Sequence, residues 1–264
     1  MTTHTALITG AASGIGRATA LAFASRGYTV FAIDQDPDGL NDVVAAATAL
    51  GLPASGAVAD VRDADAMDQA VADALTQFGR IDLAVSAAGV AVLGRVTDLQ
   101  IDEWKRSIDI NLTGTFLTAR SVLPALVKTR GAFVAISSDA GVRGAQGYAA
   151  YAAAKHGVVG LIRTLALDHG PDGVRSNVVC PGFVDTPMSR RIFENAAPGA
   201  DDAYRRTIPL GRFAAADDVA SVVVHLAESV HTNGMVYSID GGTTAGPFSP
   251  VTTHAPTIEK ETAQ

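Results

Sequence analysis

Residues 5–16 read TALITGAASGIG, and this stretch decides the fold of the chain around it. Its apolar first half predicts a buried strand that leads directly into a glycine-rich turn, and the apolar spacing over 15–26 predicts a helix. Gly10, Gly14 and Gly16 have the spacing GxxxGxG. Glycines there let a pyrophosphate approach the backbone, while the start of the helix supplies free N–H groups. The turn therefore predicts a dinucleotide site; a glycine-rich turn without a ligand is the alternative.

Outward from this turn, short apolar runs alternate with longer stretches of helical periodicity. The alternation predicts βαβ units, and runs that are apolar throughout predict a parallel sheet covered by helices on both faces. No linker interrupts 1–243, so we expect a single doubly wound α/β domain with about seven strands. The predicted strands are 5–9, 29–33, 54–59, 83–86, 132–137, 175–179 and 235–239. The predicted helices are 15–26, 37–50, 64–78, 101–128, 151–169 and 215–227, with Pro124 expected to kink or end the fourth.

Two stretches depart from this rhythm. The segment 187–210 has a centre rich in Ala, Pro, Gly and Asp, and we predict that it forms an insertion that closes over a site as a lid. Its arginines would either recognise an anionic group of a substrate or simply be solvated; they are Arg190, Arg191, Arg205 and Arg206. The segment 244–264 is rich in Thr, Pro and Ala, and our hypothesis is a tail that packs against another subunit.

The composition argues against several classes of protein. Hydrophobic residues make up 48% of the chain and charged residues 18%, so most of the chain can bury a core and is not disordered. A net charge of −7 without a basic stripe argues against nucleic-acid and membrane partners. A single cysteine, Cys180, and six scattered histidines predict no disulfide and no metal site. Since we see neither a long apolar run nor a signal peptide, we expect a cytoplasmic protein.

Acidic residues follow two of the predicted strands. Asp34 ends the second strand, where a carboxylate can accept hydrogen bonds from the adenosine ribose and would repel the 2′-phosphate of NADP. This placement predicts NAD as the cofactor, although an acid that caps the helix beginning at Pro37 is the alternative. Asp60 and Val61 follow the third strand, where a carboxylate can accept from the adenine amino group. Gly89 follows the fourth strand, where the lack of a side chain lets another group approach the backbone closely.

A tyrosine and a lysine share one face of a predicted helix. Tyr151 and Lys155 are four residues apart, so the phenol and the ammonium lie on neighbouring turns. A nearby cation lowers the pKa of a phenol, and such a tyrosine can exchange a proton with a substrate oxygen. A surface contact is the alternative. Tyr148 lies about two turns before Lys155, so we do not expect it to be the tyrosine that exchanges the proton.

Two further polar residues are candidates for the same site. Ser138 ends the fifth strand, and its hydroxyl could hold a substrate carbonyl beside the phenol; the alternative is a turn serine. Asn111 is an unfavourable residue within a helix, and it either holds a water chain that leads to Lys155 or is satisfied by its own structural partners.

These motifs together resemble the short-chain dehydrogenase/reductase family, in the subfamily with TGxxxGxG and YxxxK, over roughly residues 3–243. The resemblance implies a Rossmann-like domain with Asn111, Ser138, Tyr151 and Lys155 as the catalytic tetrad. Tyr151 would be the acid/base, Lys155 would lower its pKa, and Ser138 would orient the substrate. The cofactor-binding residues that it implies are Gly10, Ser13, Gly14, Ile15, Gly16, Asp34, Asp60, Val61, Ala88, Gly89, Tyr151, Lys155, Pro181, Gly182, Val184 and Thr186.

One departure from the family pattern follows the fourth strand. The family usually has Asn-Asn-Ala-Gly there, whereas this chain has Ser86-Ala87-Ala88-Gly89. The second asparagine ties neighbouring strands together in that family. Its loss therefore concerns strand stabilisation more than catalysis.

The resemblance implies an enzyme that transfers a hydride reversibly between NAD and a small secondary alcohol or ketone. The substrate pocket would be lined by 90–96, 139–148 and the lid at 187–210. A 3-oxoacyl-thioester reductase, a sugar or polyol dehydrogenase, and a non-catalytic NAD-sensing protein are the alternatives. The family also implies a homotetramer formed through the helices at 101–128 and 151–169.

Overall fold

The computed structural model describes residues 3–194 and 196–249, and its centre is one parallel sheet. The strands stand in the order β3-β2-β1-β4-β5-β6-β7, and every neighbouring pair is parallel. This confirms the doubly wound α/β fold. The strands are β1 (Thr5–Thr9), β2 (Thr29–Asp34), β3 (Ala54–Val58), β4 (Leu83–Ser86), β5 (Ala132–Ile136), β6 (Arg175–Pro181) and β7 (Val236–Ile239).

Helices cover both faces of the sheet. They are α1 (Gly14–Ala24), α2 (Pro37–Thr48), α3 (Ala64–Phe78), α4 (Ile101–Ile108), α5 (Gly114–Thr129), α6 (Ala149–His169), α7 (Pro187–Glu194), α8 (Ala200–Arg205) and α9 (Ala216–Glu228). Successive residues of a strand point to opposite faces, and both faces of β1 are buried. Leu7 belongs to the core beneath α3, α5 and α6, whereas Ile8 belongs to the core beneath α1, α2 and α9.

The edge strands are less buried than an apolar run predicts. Every residue of β1 is buried, but the residues of β3 are half-buried and Val58 is 59% exposed. The last strand, β7, is similarly half-buried. An edge strand has a neighbour on one side only, so its side chains lose less contact with water. The prediction of seven parallel strands is confirmed, and the two edge strands are less buried than the central ones.

The predicted helix over 101–128 is interrupted, though not at Pro124. A turn of π-helix, Asp109–Thr113, separates α4 from α5, and α5 continues through Pro124 to Thr129. Proline removes the hydrogen bond to the carbonyl four residues earlier. That carbonyl belongs to Arg120, and both residues are exposed, so water can replace the missing donor. The stretch Ile101–Thr129 is apolar and long enough to cross a membrane, but half of its most apolar window is buried in the domain.

The chain order creates a crevice at the carboxyl edge of the sheet. From β1 the chain builds outward to β2 and β3 and then returns to place β4 on the other side of β1. In open α/β sheets, ligands bind at such a switch point. The predicted lid at 187–210 contains α7 and α8, which were not expected as helices. Of the predicted tail, the part from residue 250 onward lies outside the described residues.

Candidate active site

The turn after β1 requires glycine for steric reasons. Gly10 has φ +67°, and a Cβ on Gly10 would lie 2.6 Å from the amide nitrogen of Ala88. A Cβ on Gly16 would lie 2.0 Å from the carbonyl oxygen of Gly10. Ser13 stands at the start of α1, and its side chain caps none of the helix N–H groups in the described residues. These groups therefore stay available for an anion, so the turn fits a dinucleotide pyrophosphate.

Asp34 is fixed beside this turn rather than capping a helix. Its Oδ2 accepts a hydrogen bond from the backbone N–H of Ala12 at 2.9 Å, and its Oδ1 accepts from Asp36 N–H at 3.0 Å. The residue that caps α2 is Asp36, which accepts from Asp38 N–H. The capping alternative for Asp34 is therefore wrong. Its carboxylate oxygens keep lone pairs for further donors, as the hydroxyls of a ribose would be.

Asp60 is already engaged by a neighbouring cation. Arg62 donates to Asp60 from Nε at 3.0 Å, from its terminal nitrogen at 2.6 Å and from its backbone N–H at 2.9 Å. These hydrogen bonds lower the pKa of Asp60. An adenine amino group would have to share this carboxylate with Arg62. Val61 is buried, and its side chain packs so closely on Gly114 that a Cβ there would lie 2.7 Å away.

The four predicted tetrad residues line one cleft. Asn111 lies in the π-helical turn, Ser138 follows β5, and Tyr151 and Lys155 lie on α6. The Asn111 side chain accepts from Val90 N–H at 3.1 Å and donates to the Val90 and Ser107 carbonyls at 3.0 and 2.9 Å. These bonds tie the π-helical turn to the loop after β4. Asn111 therefore has structural hydrogen-bond partners, and these partners hold its side-chain amide in the cleft.

Desolvation dominates the ionisation of Tyr151, which is half-buried, and of Lys155, which is buried. Lys155 Nζ donates to the Ile136 carbonyl at 2.9 Å and lies 5.6 Å from the centre of the Tyr151 ring. Desolvation lowers the pKa of Lys155 to about 8 and raises the pKa of Tyr151 to about 12. The hydrogen bond with Ser138 opposes the rise at Tyr151, whereas the Asp139 carboxylate adds to it. Desolvation therefore sets the direction of the Tyr151 pKa in this structure, and the expectation that Lys155 lowers it stays a prediction.

The strand after α6 supplies the opposite wall of the cleft. Pro181, Gly182, Val184 and Thr186 line it at the end of β6. The Thr186 hydroxyl donates to the Val184 carbonyl at 3.5 Å, and the Thr186 N–H donates to a serine hydroxyl in α7. A Cβ on Gly182 would lie 2.8 Å from the Cα of Asp240, so the backbone passes close to the end of β7.

The predicted cofactor residues fall into two groups. One group lines the cleft of the tetrad: Ile15, Gly89, Tyr151, Lys155, Pro181, Gly182, Val184 and Thr186. The other group lies outside that cavity, around the carboxyl ends of β1 to β4: Gly10, Ser13, Gly14, Gly16, Asp34, Asp60, Val61 and Ala88. Because Ile15 belongs to the cleft while its neighbours line the turn, the two groups are continuous along α1.

The departure at Ser86-Ala87 has a local replacement. The Thr9 hydroxyl accepts hydrogen bonds from the backbone N–H groups of Ala87 and Ala88 at 3.2 and 3.5 Å. The Ser86 hydroxyl donates to that of Thr115 at 3.1 Å. Thr9 therefore ties β1 to the loop after β4 without an asparagine.

The cleft also contains four polar residues that the sequence did not single out for a role, although they fall within the predicted pocket segments 139–148 and 187–210. Asp139, Arg143 and Tyr204 line it, and so does Tyr148, whose ring centre lies 6.0 Å from that of Tyr151. Tyr148 lies too far from Lys155 along the chain to be expected to pair with it. Its place beside Tyr151, three residues on, was the signal that could have found it. Tyr204 of α8 belongs to the predicted lid at 187–210, but nothing in the sequence distinguishes it from the other residues of that segment.

Two of the lid arginines are paired with nearby aspartates. Arg190 lies 2.8 Å from Asp185, and Arg205 lies 3.0 and 2.7 Å from Asp201 and Asp202. The pairing favours local ion pairs over recognition of an anionic substrate by these two residues. Among residues 3–194 and 196–249, no cluster of His, Cys, Asp and Glu has a metal-binding arrangement.

This fold and site define an α/β oxidoreductase with a nicotinamide cofactor, and comparison with known proteins gives its family. A family model described as Enoyl-(Acyl carrier protein) reductase matches residues 10–244. The chain is 39% identical over 239 residues to the 3-oxoacyl-[acyl-carrier-protein] reductase FabG of Thermotoga maritima, covering 89% of this chain and 96% of that protein. The chain belongs to the short-chain dehydrogenase/reductase family, whose members act on small alcohols and ketones.

Solved structures give the same family and differ in cofactor. The crystal structure of a variant of actinorhodin polyketide ketoreductase with NADPH has a TM-score of 0.87 and 31% identity, covering 91% of this chain and 97% of that one. The crystal structure of carveol dehydrogenase from Mycobacterium avium in complex with NAD has a TM-score of 0.88 and 32% identity, covering 92% and 98%.

Proposed function

We propose that this protein transfers a hydride reversibly between NAD(H) and a small secondary alcohol or ketone, with Tyr151 as the acid/base. The observation that carries the proposal is the cleft itself. It brings Tyr151 together with the buried side chains of Asn111, Ser138 and Lys155, and it is continuous with the glycine turn through Ile15. A nicotinamide supplies or accepts the hydride when it is bound there.

The residues around the cleft would hold the cofactor by its different parts. The turn at Gly10 to Gly16 would bind the pyrophosphate, and Asp34 would accept from the adenosine ribose hydroxyls. Thr186 and the backbone of Val184 would hold the carboxamide. Lys155 would bind the other ribose.

Tyr151 would exchange the proton with the substrate oxygen. With a pKa of about 12, its phenol is protonated near neutral pH and can donate to a carbonyl during reduction. During oxidation it must first lose its proton, so the rate of alcohol oxidation should rise with pH. Ser138 would orient the carbonyl beside the phenol.

The cofactor preference follows from charge at the ribose. Asp34 presents a carboxylate there, and the turn from Gly10 to Gly16 contains no arginine or lysine. A 2′-phosphate would therefore meet a like charge without a compensating cation in the turn. The structural neighbours include one with NAD and one with NADPH, so the assignment rests on Asp34.

A 3-oxoacyl-thioester reductase is the second candidate, and the Thermotoga maritima relative favours it. The ion pairs of Arg190 and Arg205 weaken it, because nearby aspartates already neutralise these two arginines. The remaining lid arginines, Arg191 and Arg206, are exposed. These two arginines could bind an anionic carrier protein at the outer surface of the lid.

A panel of secondary alcohols and ketones, assayed in both directions with both cofactors, tests the proposal. We expect steady turnover with NAD(H) that exceeds turnover with NADP(H). Faster turnover with NADPH than with NADH would overturn the cofactor assignment. NADH binding without turnover of any substrate would favour the non-catalytic, NAD-sensing alternative instead.

We further propose a cytoplasmic homotetramer assembled through the long helices. Large apolar side chains are exposed on α4, α5 and α6, with Trp104 at 41%, Phe116 at 48% and Leu167 at 78%. Such exposure on neighbouring helices is typical of a subunit interface. Light scattering of the full chain and of a chain that lacks 246–264 tests both the tetramer and the contribution of the tail.

A further inference from the structure

A second set of polar side chains lines the cleft beside the tetrad. Asp139 lies in a short 3-10 turn after β5, Arg143 and Tyr148 lie between that turn and α6, and Tyr204 comes from the lid helix α8. None of these four residues is needed for the hydride and proton transfer proposed above. Their position beside Ser138 points to a role in selecting the substrate.

Asp139 and Arg143 form a neutral pair inside the cleft. A terminal nitrogen of Arg143 lies 2.5 Å from Asp139 Oδ2. The other carboxylate oxygen accepts from the Ser138 hydroxyl at 2.9 Å and from Ala140 N–H at 2.8 Å. Because Asp139 already balances the guanidinium, a substrate carboxylate would add a negative charge that this pair does not balance.

Arg143 retains hydrogen-bond donors in this pair. Its second terminal nitrogen makes one long contact, 3.4 Å to the Gly144 carbonyl, and its buried Nε–H has no partner among the described residues. Its side chain is 37% exposed. A guanidinium has more N–H groups than these contacts use, so donors remain for a neutral oxygen in the cleft.

Tyr204 brings a hydroxyl from the lid to the same place. Its ring packs on Phe183 with centres 4.7 Å apart. Burial raises the pKa of Tyr204 to about 12, while the Arg143 guanidinium acts in the opposite direction. The phenol is therefore neutral near physiological pH and can both donate and accept a hydrogen bond.

We propose that the substrate has a second neutral oxygen on the carbon next to the reacting one, as in an α-hydroxyketone or its vicinal diol, and that Arg143 and Tyr204 bind this oxygen. The Asp139 carboxylate accepts from both the Ser138 hydroxyl and the Arg143 guanidinium, so these two groups lie close enough to bind oxygens on neighbouring carbons of one small molecule. A plain ketone would leave the donors of Arg143 without a partner. This inference rests on the proposed function.

The proposed reaction leaves the second oxygen unchanged. During reduction the carbonyl carbon gains a hydride as NADH is oxidised to NAD, and the carbonyl oxygen gains the proton of Tyr151. The carbon–oxygen double bond becomes a single bond. The neighbouring hydroxyl takes part only through hydrogen bonds.

A matched pair of ketones tests the inference. The ratio of kcat/KM for 3-hydroxybutan-2-one over that for butan-2-one, both with NADH, should favour the hydroxyketone by about 10- to 100-fold in the wild type. Arg143→Met should bring the ratio near one, and Tyr204→Phe should reduce it. Tyr237→Phe, on β7, should leave it at the wild-type value.

The ratio separates recognition from a general loss of activity. Arg143→Met also leaves Asp139 unpaired beside Tyr151, so the rates with both ketones should fall, but the rate with the hydroxyketone should fall further. Arg143→Lys should restore part of the ratio. An unchanged ratio in Arg143→Met, or a wild-type preference for butan-2-one or for a neutral acetoacetyl thioester, would overturn the inference while hydride transfer stands. Absence of NADH oxidation with all three compounds would overturn the proposed function as well.

Discussion

The wall of the cleft that carries the tetrad and the lid that faces it are held by different kinds of interaction. Asn111 and Lys155 are buried and bonded to backbone carbonyls within the core. Lid residues such as Arg190 and Arg205 make ion pairs with more than a third of each side chain exposed. The tetrad wall is therefore preorganised by backbone hydrogen bonds, whereas the polar contacts of these lid residues are surface ion pairs that water and salt weaken.

The first test of this difference between the tetrad wall and the lid adds a single methyl group at the tetrad wall. In Gly89→Ala the new Cβ would lie 2.8 Å from Asn111 Oδ1 and 3.5 Å from Lys155 Nζ. Displacing these groups should lower kcat/KM by about 100-fold. Gly144→Ala is the matched control, since its Cβ meets no atom within 4 Å. Similar activity in both variants would argue against a rigid tetrad wall.

A second change tests the fixed carboxylate at the cofactor end. Asp34→Ala should lower the preference for NAD over NADP by about 10-fold or more. The variant loses the hydrogen bonds from the adenosine ribose of NAD to the carboxylate, and it no longer repels the 2′-phosphate of NADP. Asp36→Ala, two residues along, should lose only the cap of α2 and keep the preference. The measurement is kcat/KM with each cofactor for both variants. An unchanged preference in Asp34→Ala would remove the argument for NAD.

A third test uses the burial of Lys155 itself. Its folded pKa of about 8 lies below the ordinary value of 10.5, so between these values the unfolded chain binds more protons. Stability then rises with pH across this window, as the cost of burying the ammonium disappears. In denaturant unfolding over this range, the free energy of unfolding should show this rise with pH in the wild type and in Lys128→Met, a control at an exposed position. Lys155→Met should lack the rise. An identical pH dependence in all three would mean that Lys155 is not desolvated.

The smallest effect is expected at the lid. Arg190→Ala removes an ion pair whose side chains are 68% and 53% exposed, so kcat/KM should remain close to that of the wild type. Any difference should shrink as salt is added. A large loss that persists at high salt would show that the lid depends on this pair more than its exposure indicates.

The sequence sufficed for the tetrad wall because its signals are local. Glycine spacing, strand ends and the Tyr151–Lys155 interval each depend on residues close together in the chain. The turn of π-helix at Asn111 was not predictable, since no simple period distinguishes it from the α-helix on either side. The contact of Tyr204 with the cleft depends on how α8 folds back over it, which is tertiary packing. The rise in the Tyr151 pKa was not predictable either, because the sequence does not show the extent of desolvation.

The central claim, that Tyr151 exchanges the proton during hydride transfer, is tested most directly by removing its hydroxyl. The measurement is the steady-state rate of NADH oxidation with a ketone that the wild type reduces, together with NADH binding by fluorescence. Tyr151→Phe should lose about 100- to 10,000-fold in kcat and bind NADH as the wild type does, whereas Tyr148→Phe should retain most of its turnover. A Tyr151→Phe protein that turns over at a rate close to that of the wild type would contradict the claim.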